Sequence, residues 1–94
     1  MAAYWIARVN VTDEAAYAEY SKRAGPIFDR HGGRLLARGD SFVTLEGREF
    51  ARNVITEFPT LEQALACYRS PEYREALALA EGAVERDICI VEGM

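Results

Sequence analysis

Two stretches near the ends of the chain, Tyr4-Trp5-Ile6-Ala7 and Ile88-Cys89-Ile90-Val91, are apolar at every position rather than at alternate ones. Successive side chains of a strand point to opposite faces, so strands of this composition have to be covered above and below. The segments between them supply helices for one layer only. The second face is therefore expected to meet another copy of the protein, which makes the chain its own partner in a homodimer.

Ninety-four residues suffice for a single domain with a modest core, expected to span 1–94. Half the residues are hydrophobic and 28% are charged, an ordinary soluble composition. A net charge of −4 argues against nucleic acid as a partner, because phosphate binding needs a basic surface. Lys22 is the single lysine against ten arginines. Arginine suits bidentate carboxylate contacts and partly buried ion pairs, although a GC-rich coding bias explains the same usage.

The N-terminus has no basic region followed by an apolar stretch, and the longest apolar runs are about five residues against the roughly 20 that span a bilayer. No membrane partner is expected. Cys67 and Cys89 are isolated from each other, with no CxxC pair, no metal-ligand spacing and no disulfide framework. Cytosolic residence follows, with no cofactor and no metal. Haem in particular has no dedicated histidine or cysteine motif.

Ala3 to Asn10 reads as the first strand, followed by a helix with Thr12 as N-cap and Asp13 and Glu14 in its first turn. Tyr17, Tyr20, Ala24, Ile27 and Phe28 give that helix an apolar face, Gly25-Pro26 predicts a kink or restart, and Gly32-Gly33 ends it. Arg34 to Arg38 and Phe42 to Leu45 read as strand on either side of a Gly39-Asp40 turn or bulge, and Arg48 to Ala51 as loop. Arg52 to Phe58 is the third strand, stopped by Pro59. Thr60 and Gln63 form a capping box, Ser70-Pro71 restarts the helix, and Glu85 to Glu92 is the last strand. The order is β-α-β-β-α-β, an α+β plan with an antiparallel sheet and helices on one face, the ferredoxin-like arrangement.

Several motifs along the chain carry a resemblance: His31-Gly32-Gly33-Arg34, Ala37-Arg38-Gly39, Leu45-Glu46-Gly47, Glu57-Phe58-Pro59, Tyr68-Arg69-Ser70-Pro71-Glu72-Tyr73 and Ile90-Val91-Glu92-Gly93. With them the chain resembles the small bacterial proteins of the domain-of-unknown-function 1330 family, within the dimeric α+β barrel superfamily. The resemblance implies a ferredoxin-like protomer whose sheet packs on a partner's sheet. It implies no particular activity, since relatives by fold include cofactor-free monooxygenases, lactone isomerases, haem-degrading enzymes and stress proteins.

Strand alternation divides the sheet into two sets. Trp5, Ala7 and Val9 with Val54, Phe58, Ile88 and Ile90 suit packing under helices. Tyr4, Ile6 and Arg8 with Asn53, Ile55, Glu57 and Cys89 form the other face, which Arg38 could join. A mostly apolar concavity with a few convergent polar groups is the usual form of a small-molecule site. Arg8 and Arg38 are candidates to hold an anionic group, with Tyr4 and Asn53 as further ligand contacts. Glu57 and the sole histidine, His31, are candidates to handle a proton. Each has a plainer role. An Arg–Glu pair could simply order a dimer interface, and His31 stands where a cation meets the negative end of a helix dipole. No triad or metal spacing accompanies these residues, so the sequence leaves enzymatic activity unassigned. A dimer with a pocket for an anionic or aromatic small molecule and a non-catalytic dimeric module both remain open.

Overall fold

The computed structural model describes residues 1–94. Its elements are β1 (Ala3–Val11), α1 (Glu14–Arg30), β2 (Arg34–Ala37), β3 (Arg52–Phe58), α2 (Leu61–Arg69), α3 (Pro71–Leu79) and β4 (Val84–Glu92). The four strands form one sheet in the order β2-β3-β1-β4, with every neighbouring pair antiparallel. This is the ferredoxin-like plan, with the second helix divided at Ser70.

Alternation along β1 is what places the core. Ala3, Trp5, Ala7 and Val9 are buried under the helices, whereas Tyr4, Ile6, Arg8 and Asn10 point to the open face and are partly exposed. Trp5 meets all three helices: its ring centroid lies 5.0 Å from Phe28 of α1, 5.7 Å from Tyr68 of α2 and 5.4 Å from Tyr73 of α3, each edge-on. Phe58 completes the cluster in a stacked arrangement at 5.9 Å. Offset and edge-on aromatic pairs at these distances add to the gain from burial.

Local capping chemistry decides the helix boundaries. Thr60 Oγ1 accepts from the Gln63 backbone N–H at 3.1 Å, and Ser70 Oγ accepts from that of Tyr73 at 3.2 Å with Pro71 in the first turn of α3. At α1 the cap is Asp13, whose carboxylate accepts from Ala16 N–H at 3.2 Å, and not Thr12. Thr12 instead pairs its backbone N–H with Ala83 O, continuing out of β1.

Two expectations about chain direction are corrected. α1 does not restart at Gly25-Pro26 but continues as one helix from Glu14 to Arg30. Pro26 and Lys22, whose carbonyl loses its partner to the proline ring, both lie on the exposed side, so water can take the place of the missing donor. Phe42 to Leu45 is not a strand: β2 ends at Ala37 after a bulge between Leu35 and Ala37, and residues 38–51 form a long connection. The bulge shifts the register so that Ala37 faces Ile55, and β2 ends there.

Candidate functional site

The open face of the sheet has polar groups at its two ends and an apolar band between them. Ile6 stands opposite Ile55 on β3 and Cys89 on β4, and the three form that band. At one end, Glu57 lies opposite Tyr4 and Arg34, and Arg34 Nη2 donates to Glu57 Oε1 at 2.9 Å. Tyr4 also packs against Gly93, where an added Cβ would come within 3.0 Å of Tyr4 Cε2. At the other end Arg8 stands opposite Asn53 and Asp87.

The expected constellation is thus divided. Arg8 and Asn53 are brought together, while Tyr4 and Glu57 lie four residues further along β1, about 13 Å away at strand rise. Arg38 does not join Glu57: it lies beyond the β2 bulge, exposed and without a hydrogen-bond partner, and Arg34 takes the position instead. His31 is in the helix layer. Its Nδ1 donates to Ile27 O at 2.9 Å and its Nε2 lies 3.9 Å from Glu72, whose other oxygen accepts from Arg30 at 2.7 Å. With Glu57 on the opposite side of the sheet, His31 and Glu57 form no acid–base pair.

Around Arg8 the geometry is well defined. Its Nε donates to Asn53 Oδ1 at 3.2 Å and its Nη2 to Arg48 O at 2.9 Å, and the guanidinium lies 4.7 Å from the centroid of Phe50. Phe50 is buried yet lies outside the main core cluster, covered also by Arg48 at 4.9 Å. Two asparagines fasten the loop onto the sheet. Asn10 Nδ2 donates to Glu49 O and its Oδ1 accepts from Ala51 N–H, while Asn53 Nδ2 donates to Phe50 O at 3.0 Å. Arg48 forms an ion pair with Glu85 of β4.

Phe42 to Glu46 rise beside this anchored segment and, with Arg8 and Asn53, enclose an open concavity of about 400 Å³. Phe42, Val43 and Leu45 are exposed apolar side chains in its wall. Arg8 Nη1 has no partner within the protein, so a planar guanidinium edge is free in a concavity of small-molecule size. Neither Phe50 nor this wall stands out in the sequence, where Phe42 to Leu45 has only the composition of a strand. No cluster of His, Cys, Asp and Glu is placed to hold a metal, and no helix is long and apolar enough to cross a membrane.

The fold defines a ferredoxin-like α+β protein. The chain belongs to the family described as "Domain of unknown function (DUF1330)", which it matches over residues 2–94. No functionally curated protein matches it in sequence. Among solved structures it is similar to RPA0582 of Rhodopseudomonas palustris, a protein of unknown function, at 23% identity and a TM-score of 0.83 over 99% of this chain and 82% of that one. It is also similar to a dimeric ferredoxin-like protein of unknown function from Thermobifida fusca (19% identity, TM-score 0.66, 99% and 92% covered). A third is SnoaB, a cofactor-independent oxygenase of Streptomyces nogalater (10% identity, TM-score 0.70, 99% and 93% covered). At these identities the likeness is one of fold.

Proposed function

We propose that this protein is a cytosolic homodimer that binds a small organic anion, of aromatic or similar apolar body, in the concavity at Arg8. Dimerisation closes the open face: Ile6, Ile55, Cys89 and Val91 form an apolar surface that a second copy covers, and a solved protein of similar fold is itself dimeric. Two unpaired thiols, one on each side of the sheet, suit a reducing compartment.

The observation that carries the reading is the free Nη1 edge of Arg8. Asn53, Arg48 O and the Phe50 ring fix the guanidinium, so little side-chain freedom remains to be lost on binding. A carboxylate can engage such an edge while the body of the ligand rests on Phe42 and Leu45. A second reading takes the Arg8–Arg48 O bond as the whole purpose: Arg8 anchors the loop, and the face is only an interface.

Benzoate titrated into the labelled protein separates the two, followed by NMR. Binding predicts saturable shifts at Arg8 Nε–H, the Asn53 side-chain amide and the Val43 to Glu46 backbone, lost in Arg8→Gln. Absence of saturable shifts there in the native protein leaves the anchoring role alone.

A further inference from the structure

On the helix side of the sheet, at the same end as Arg8, a second guanidinium lacks a counter-charge. Arg86 stands opposite Val9 and points under the helices, half-buried. Its Nη1 donates to the Tyr20 hydroxyl at 3.2 Å and its Nη2 to the Tyr73 hydroxyl at 3.3 Å, and its guanidinium carbon lies 5.5 Å from the Tyr20 ring centroid. Arg30, Arg34, Arg48 and Arg52 all meet glutamates, but no carboxylate lies within ion-pair distance of Arg86. A cation shielded in this way normally has a partner.

The two tyrosines do not supply the charge. Their hydroxyls lie 2.7 Å apart, so one donates to the other, and both oxygens also receive the guanidinium. The second phenolic proton then has no acceptor in the protein. Burial first, then Tyr73, raises the Tyr20 hydroxyl well above the ordinary tyrosine range, so it stays neutral. The cluster thus holds a positive charge without a counter-charge and one phenolic proton without an acceptor.

Arg86 opens onto a groove of about 510 Å³ between α3 and the start of β4. Arg74 lines it from α3, with Nε and Nη2 both spent on Tyr68 O and Nη1 free. Leu77, Ala78 and Val84 give apolar walls, and Glu81 is its single carboxylate, paired with neither arginine. Glu81 disfavours a ligand of high negative charge, while the walls favour a hydrocarbon chain.

We propose that this groove binds an aliphatic monocarboxylate, its carboxylate on Arg86 and its chain along Leu77, Ala78 and Val84. The site is independent of the one at Arg8, which lies on the opposite face of the sheet. Hexanoate titrated into the full-length protein should give saturable shifts at Arg86 Nε–H and at the Leu77 and Val84 methyl groups. Arg86→Gln should weaken binding roughly tenfold or more, the loss expected for a charge-assisted hydrogen bond. Ala78→Phe, at an exposed helix position, should block the groove while leaving the Arg86–tyrosine cluster intact, and Arg8→Gln should leave hexanoate binding unchanged. The proposal is overturned by no saturable shift in the native protein, by native-like binding in Ala78→Phe, or by 1-hexanol or inorganic phosphate binding as well as hexanoate.

Discussion

Arg8 and Asn53 stand directly opposite each other on β1 and β3, and Arg8 Nε donates to Asn53 Oδ1 at 3.2 Å. The same Asn53 side chain donates to Phe50 O at 3.0 Å, so one amide joins the guanidinium to the loop that covers it. Asn53→Ala removes both bonds at once. It should cost about 1–2 kcal/mol, with faster amide exchange through Phe50 and Ala51. An unchanged denaturation midpoint together with native exchange rates would show that the loop is held without Asn53.

Trp5→Ala should cost roughly 3–5 kcal/mol, because the vacated space lies between Phe28, Phe58, Tyr68 and Tyr73 and rigid rings collapse into it poorly. Chemical denaturation measures this. A midpoint equal to that of the native protein contradicts the burial of Trp5.

Alkaline pH should destabilise the protein through two buried groups. Burial, then Glu72, pushes the Cys67 thiol up to about 12 from its ordinary 9.0, and burial raises the Tyr20 hydroxyl above its ordinary 10.0. Both are neutral when protonated, and the folded chain holds these protons where the unfolded chain has released them. Their contribution is therefore complete below about pH 9 and is lost as pH rises towards 12 and beyond. Melting temperatures should fall over that range, with a later onset in Cys67→Ala. In the native protein Cys67 should resist thiol reagents near pH 8, as expected of a buried thiol. Modification of Cys67 at the rate of an unfolded thiol would contradict this.

The sequence shows most clearly those features that depend on neighbours along the chain. The Thr60–Gln63 and Ser70–Pro71 caps are local hydrogen-bonding devices, and the alternation of Trp5, Ala7 and Val9 assigns the buried face without reference to any partner strand. The site depends on register, which is non-local. The antiparallel register sets Arg34 opposite Glu57, the bulge between Leu35 and Ala37 breaks the alternation before Arg38, and nothing in the local sequence specifies either. Phe42 to Leu45 has strand-like composition but no neighbouring strand to pair with, so it forms the wall of a concavity instead. The Arg86 cluster joins Tyr20 to a residue 66 positions away, a meeting that only the folded sheet and helices bring about.

The central claim about the open face of the sheet is that a second copy covers it. Sedimentation equilibrium across micromolar concentrations measures it directly. The account predicts twice the 10.5 kDa mass of the chain, falling to that of the single chain when Ile6→Asp places a charge in the middle of the apolar band. A mass of 10.5 kDa for the native protein throughout that range would contradict it.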